Sequence, residues 1–190
     1  MKKLSLKAFV SIAMLSSLAY VLMFIKFPVL PIYSYLTVDF SDIPALIAAL
    51  IFGPIGAIIV EIIKNLLDYL THISDVGIPI GNAANLVAGL LFVLPTYFVF
   101  KRMKTKLGMT YALIIGTVTM AVIMSILNYF VILPAYLALM HFDVGNVKDY
   151  IVAGILPFNL IKGALVTIIF MVLFSKMQKW ITKQAILNNN

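Results

Sequence analysis

Apolar residues run along this chain in long blocks, separated by short polar or proline-containing breaks. The first block, about 8–25, follows lysines and ends at Lys26-Phe27-Pro28. A signal-peptide apolar core spans about 7–15 residues and closes on a small-residue cleavage site. This block is longer and lacks that ending, so it reads as a retained helix. Residues 26–42 contain Pro28 and Pro31, which oppose a continuous helix. They also contain Tyr33, Tyr35, Leu36, Val38 and Phe40, too many apolar side chains for a solvated loop. The segment is expected to fold down onto the helices.

The next apolar stretch, Ile43 to Leu70, is broken by Gly53-Pro54. As one helix it would run about 42 Å, longer than a hydrocarbon core of about 30 Å. The basic residues decide the matter. They cluster as Lys2, Lys3 and Lys7; as Lys101, Arg102, Lys104 and Lys106; and as Lys176, Lys179 and Lys183. Two passes put every cluster on one side of a membrane, as basic cytoplasmic flanks require, whereas one pass does not. The predicted helices are about 43–52, 55–70, 82–100, 109–139 (bent or ended near Pro134) and 150–181. With the first helix they make an all-α integral membrane protein, a single membrane domain over residues 1–190. It has six transmembrane helices and cytoplasmic N and C termini. The outer side then carries Lys26 and Lys148 against Asp39, Asp42, Asp68, Asp75, Asp143 and Asp149.

Composition agrees. The 190 residues are 63% hydrophobic and 11% charged, with a mean hydropathy of +1.10. Six spans of roughly 20 residues use about 120 of them, which leaves no room for a separate soluble catalytic domain. The net charge of +7 does not point to nucleic acid, because each basic cluster abuts an apolar run. The absence of cysteine removes disulfides, thiolate metal sites and cysteine nucleophiles. His72 and His141 fall in outer loops without neighbouring ligands, so no metal site and no enzymatic centre is expected. No G-x-x-x-x-G-K-[S/T] phosphate loop occurs, so ATP hydrolysis is not expected of this chain.

Glu61, Lys64 and Lys162 do not sort to either side. A charge at the centre of a membrane helix costs roughly 2.5–3.5 kcal/mol on insertion scales, so each calls for a partner, a cavity or a ligand. Glu61 and Lys64 are three apart and share a helix face. They read as an intramembrane ion pair, with snorkelling of Lys64 toward the outer end as the other option. Lys162 reads as an unpaired lysine among apolar neighbours, with Asn159 one turn before it. Ser125, Asn128 and Tyr129 make a polar spot on the fifth helix, and Asn85 stands near the outer end of the fourth. Taken singly, each amide could be an interhelical hydrogen bond of about 0.6–2 kcal/mol. Taken together, amides and an ammonium suit the edge of a planar heterocycle that alternates carbonyls and N–H groups, with apolar and aromatic walls for its flat body. This reasoning yields a ligand class and no more.

At these residues the chain resembles a family. Phe24-Ile25-Lys26-Phe27-Pro28, Asp39-Phe40-Ser41-Asp42-Ile43-Pro44-Ala45-Leu46, Phe52-Gly53-Pro54, Lys64-Asn65-Leu66-Leu67, Ser125 through Phe130 and Pro157 through Gly163 are similar to the RibU family. Its members are the riboflavin-specific substrate-binding components of energy-coupling factor (ECF) transporters. The likeness covers essentially the whole chain. It implies a six-helix fold in a bacterial cell membrane that holds riboflavin near its outer face. Riboflavin would be the transported ligand rather than a cofactor. The resemblance maps amide and lysine contacts onto Asn128, Asn159 and Lys162. Asn85 and the first-loop residues Leu36, Thr37 and Phe40, which cover the ligand, complete the expected site. It implies as partners a membrane coupling protein and two ATP-binding-cassette ATPases, and release by tilting of the whole component. Family members dock the coupling protein through an alanine-x-x-x-alanine pattern on helix one. Here the nearest match is Ala13 and Ser17, a departure at the second position.

Three other readings stand beside this one. A related component for another vitamin would share the helices but not a pyrimidinedione site. An intramembrane enzyme would need a nucleophile, base or metal constellation. An ion-driven carrier that works alone would use Glu61 for coupling, although no inverted repeat or broken-helix pair is visible.

Overall fold

The computed structural model describes residues 5–71, 79–140 and 144–189. Lys2, Lys3, His72, Asp75, His141 and Asp143, which entered the charge and histidine expectations, lie outside the described residues. The described residues form six helices and two short strands. Helix α1 (Leu6–Met23) starts at Ser5, whose side chain accepts a hydrogen bond from the Ala8 N–H. It buries one stripe, Ala8, Ile12, Ser16, Ala19 and Met23, at the spacing of a single helix face. The following segment forms two short antiparallel strands, β1 (Phe27–Pro28) and β2 (Thr37–Val38), around a 3-10 turn at Pro31–Tyr33. Phe27 pairs with Val38 and Pro28 with Thr37.

Helix α2 (Asp42–Phe52) has 11 residues, about 16 Å of rise, roughly half a hydrocarbon core. Every residue from Asp42 to Ala49, and Ile51, is buried. Helices α1, α3, α4 and α6 all touch it. It ends at Gly53, whose φ of +78° lies in the left-handed region that glycine tolerates. Pro54 then opens α3 (Pro54–Thr71), where its fixed φ and missing N–H cost nothing. The Tyr20 hydroxyl donates to Thr71 Oγ1 at 2.9 Å, so the ends of α1 and α3 lie together.

Helix α4 (Ile80–Met103) runs through Pro95 and ends at Lys104 in the left-handed region. Thr105 caps the next helix by accepting from the Gly108 N–H. That helix, α5, consists of Lys106–Leu127, a π-helical turn at Asn128–Ile132 and a last segment Leu133–Met140. Helix α6 repeats the plan with Val147–Tyr150, a π-helical turn at Ile151–Ile155 and Leu156–Asn189. Each π-turn ends two residues before a proline, Pro134 or Pro157. Proline removes an N–H donor from the ladder, and the wider turn re-pairs the backbone just ahead of it. The expected stop near Pro134 is absent: the π-turn lies just before it and the helix continues to Met140.

Among the described residues four helices, α1, α4, α5 and α6, are long and apolar enough to cross a membrane. Helix α3 is as long as α1 but carries Glu61, Lys64 and Asp68. Helices α4, α5 and α6 begin earlier and end later than the apolar blocks suggest, because basic and capping residues such as Lys101, Arg102 and Lys106 are inside them. The described basic residues of the clusters stand at one end of the bundle. The strand-bearing loop, the end of α3 and the start of α4 stand at the other.

Between α4, α5 and α6 the backbones approach closely at small residues, a usual device of membrane helices. A Cβ added at Gly163 would lie 2.5 Å from Thr117 Cγ2, and one at Gly116 would lie 2.6 Å from the Phe92 carbonyl oxygen. The latter is backbone and cannot rotate away. Gly116→Ala is therefore expected to cost about 1–3 kcal/mol through overpacking, read as a lower melting temperature of the protein in detergent. An unchanged melting temperature would mean that α4 and α5 have slack at this crossing.

Candidate functional site

The buried polar side chains of this protein are concentrated where α2, α3, α4 and α6 meet. Lys64 is fully buried. Its Nζ donates to Ser41 Oγ at 2.8 Å and to Asp42 Oδ1 at 2.5 Å. Glu61 Oε1 lies 3.0 Å from the same nitrogen, off the hydrogen-bonding direction. Neither Glu61 oxygen accepts a hydrogen bond from the described residues. On the α4 side Glu61 is packed against Gly89, where a Cβ would collide with Oε2. Lys64 thus does not snorkel, and it shares its charge between Glu61 and Asp42.

Two expectations need correction here. Asp42, placed on the outer side with the loop acids, is fully buried. It opens α2, and its carboxylate faces inward between two lysines. Lys162, read as unpaired, has two partners: Nζ donates to Asn85 Oδ1 at 2.9 Å and lies 3.4 Å from Asp42 Oδ2. Charge balance was the missed signal. Two lysines inside the helices against one glutamate require a second acid, and Asp42 is the acid at the nearest helix start.

Beside this network, at the end of the bundle that carries the loop, is a cavity of about 450 Å³, within the range of small-molecule sites. Asn85 of α4, Asn128 of α5, and Asn159 and Lys162 of α6 reach its wall, and Leu36 and Thr37 reach it from the loop. Asn128 Nδ2 donates to the Met124 carbonyl at 2.8 Å, and Asn159 Nδ2 to the Ile155 carbonyl at 2.9 Å. Each amide is oriented by its own helix, beside a π-turn, and keeps its oxygen and a second N–H for other partners. π-turns are frequent at functional sites.

Phe40, expected on the ligand, is not on the cavity wall. Its ring leans on Phe27, centroids 5.9 Å apart, and packs against the main apolar core. Its place between β2 and α2 turns the side chain toward the helices. Glu61 is not on the wall either. Residues not singled out from sequence do reach it: Tyr35 and Asp39 from the loop, Asp68 and Asn82, and Tyr136, Tyr150 and Phe158. Asn82 Nδ2 donates to Asp68 Oδ2 at 2.6 Å, closing α3 onto α4 at the rim. Tyr33, Tyr35 and Tyr150 form an aromatic cluster, with the Tyr33 and Tyr150 centroids 5.2 Å apart in an edge-on arrangement. This cluster seats the loop on α6. Burial raises the pKa of the Tyr35 phenol above its usual value.

Ala13 and Ser17 are not on the cavity wall and stand on the exposed face of α1. The Ser17 hydroxyl donates to the Ala13 carbonyl at 3.0 Å. The serine is therefore satisfied within its helix and presents a small, nearly flat surface.

A family model described as "ECF transporter, substrate-specific component" matches residues 7–174. The chain belongs to this family. Among similar proteins, this S component is 47% identical over 184 residues to "Riboflavin transporter FmnP" of Bacillus subtilis (strain 168), covering 95% of this chain and 97% of that protein. It is 43% identical over 179 residues to "Riboflavin transporter RibU" of Staphylococcus aureus (strain TCH60), covering 93% of each. A solved structure described as "Structure and mechanism of the S component of a bacterial ECF transporter" superposes with a TM-score of 0.78. The two are 43% identical, and the match covers 92% of this chain and 96% of that one. The S component is thus an integral membrane subunit of a transporter.

Breaking a buried ion pair by removing one partner typically costs about 3–5 kcal/mol, because a charge is left alone. Lys64→Met in this S component is expected to lose stability on that scale, seen as a marked fall in detergent melting temperature. A variant as stable as the parent would mean that Asp42 and Glu61 are held without it.

Proposed function

We propose that this S component captures riboflavin in the loop-end cavity, for uptake energised by a separate membrane coupling protein and two ATP-binding-cassette ATPases. The observation that carries this reading is the convergence of Asn128, Asn159 and Lys162, from two neighbouring helices, on one cavity wall. Each has hydrogen-bonding capacity left over after its contacts within the protein. The pyrimidinedione edge of riboflavin offers two carbonyls flanking one N–H. An amide oxygen accepts from that N–H, while the free amide N–H groups and the third N–H of Lys162 donate to the carbonyls. Tyr35, Tyr136, Tyr150 and Phe158 supply aromatic surface for the flat ring system. The loop 27–41, held by the tyrosine cluster, covers it. The names of the similar proteins from B. subtilis and S. aureus support the same ligand.

The basic end of the bundle faces the cytoplasm by the positive-inside rule, which puts both termini there and the cavity at the outer face of the cell membrane. That orientation suits a subunit that gathers a scarce nutrient from outside. Ala13 and Ser17 form the docking surface for the coupling protein, since their small side chains let another helix come close.

Three measurements test this proposal. The protein purified in detergent is expected to carry a flavin absorbance at near one equivalent, or to quench the fluorescence of added riboflavin; a colourless protein that does neither would refute the ligand. Asn128→Ala and Asn159→Ala are each expected to weaken riboflavin binding at least tenfold, about 1.4 kcal/mol, and folded variants of unchanged affinity would remove these amides from the site. Replacing Ala13 or Ser17 with a bulky residue is expected to leave binding intact and impair uptake by the assembled transporter. Loss of binding in those variants would instead make α1 part of the ligand site or of the fold.

A further inference from the structure

We propose that Asp42 is a positioning residue for ligand recognition: its carboxylate, without touching the ligand, holds the Lys162 ammonium at the cavity wall. The inference rests on the reading of Lys162 as a ligand contact. A lysine carries its charge on a flexible four-carbon stem and moves it toward water when nothing prevents this. Lys162 instead is buried, its Nζ held between Asn85 of α4 at 2.9 Å and Asp42 of α2 at 3.4 Å. Asn85 supplies a dipole. Asp42 supplies the compensating charge that lets an ammonium remain there.

Asp42 is suited to this role and to no direct one. It is fully buried and does not belong to the cavity wall. Its Oδ1 is taken by Lys64. Its Oδ2 accepts no hydrogen bond from the described residues and faces Lys162. A buried carboxylate oxygen left without a donor is costly, so the pair constrains both groups. Glu61 cannot substitute, because its described ion pair is with Lys64 on the far side.

The same residue ties the wall to the cover. Asp39 Oδ1 accepts from the Ser41 N–H at 2.8 Å, Ser41 Oγ accepts from Lys64, and Asp42 follows directly. The end of the covering loop and the ligand-facing ammonium are thus referred to one carboxylate. With its charge balanced by Asp42, Lys162 acts on the ligand as an aimed N–H donor, which fits a neutral carbonyl.

A double-mutant cycle on the full chain in detergent, read by riboflavin fluorescence quenching, tests the assignment. Asp42→Asn and Lys162→Met are each expected to weaken binding by roughly tenfold or more. Together they are expected to weaken it no more than about twofold beyond Lys162→Met alone, because a residue acting through another has nothing left to act on. A merely structural Asp42 would lower affinity by the same factor in both backgrounds, and that result overturns the inference. So does an Asp42→Asn protein that binds like the parent while Lys162→Met does not. If Lys162→Met itself leaves affinity unchanged, Lys162 leaves the ligand site and the inference falls with it. Should Asp42→Asn yield no folded protein, the paired change Asp42→Asn with Lys64→Gln removes one acid and one base together. The same loss is expected of it, and parental affinity would overturn the assignment.

Discussion

A carboxylate shared by two lysines inside the helix bundle sets the terms for everything around it. Asp42 meets Lys64 of α3 on one oxygen and Lys162 of α6 on the other. In a membrane there is no water to take up a misplaced charge, and the effective penalty is several kcal/mol per ion. The contacts form only when α2, α3 and α6 stand at matching depths. Helix α2 can accordingly be short. Its polar start does not have to reach the headgroups, because the protein supplies the partners that headgroups would otherwise provide. The loop before it is drawn inward for the same reason, and so comes to lie over the cavity.

Room for a ligand arises from a contrast along α5 and α6. In their middle portions these helices and α4 are pressed together at Gly116 and Gly163. Toward the loop end each passes through a π-turn, and the side chains on both sides of those turns line the cavity, from Met124 to Met140 on α5 and from Tyr150 to Lys162 on α6. Tight contact in one place and a widened helix in the other let the bundle hold a cavity beside its apolar core.

Much of this was legible in the sequence, and the exceptions have physical causes. The number of helices followed from apolar lengths, from the break at Gly53-Pro54 and from the basic clusters, which decided for two passes there. The helix ends did not, because a helix leaving the hydrocarbon continues through residues such as Lys101 and Arg102, whose charges favour a helix C-terminus. Asn85, Asn128, Asn159 and Lys162 stood out because an isolated polar group in an apolar helix needs a reason. Asp42 did not, since an aspartate opening a helix looks the same whether it faces water or the interior. Phe40 was grouped with Leu36 and Thr37 because the resemblance implies that the first loop covers the ligand, and nothing in the sequence of that loop separates side chains facing the cavity from those facing the core. The tyrosines at 33, 35 and 150 come together only through the fold.

The π-turns change how these two helices can be compared with those of other proteins. Each turn holds one residue more than an α-helical turn, so the helix beyond it is rotated by about 100° relative to an unbroken continuation. A stripe of lipid-facing residues followed along α5 loses its phase at Asn128 and regains it displaced after Ile132. Periodicity must therefore be read in two separate halves. A single-residue gap in the middle of a membrane span usually signals a faulty alignment. At these two turns it is the footprint to expect from a homologue that has lost the extra residue and, with it, the present orientation of the cavity wall.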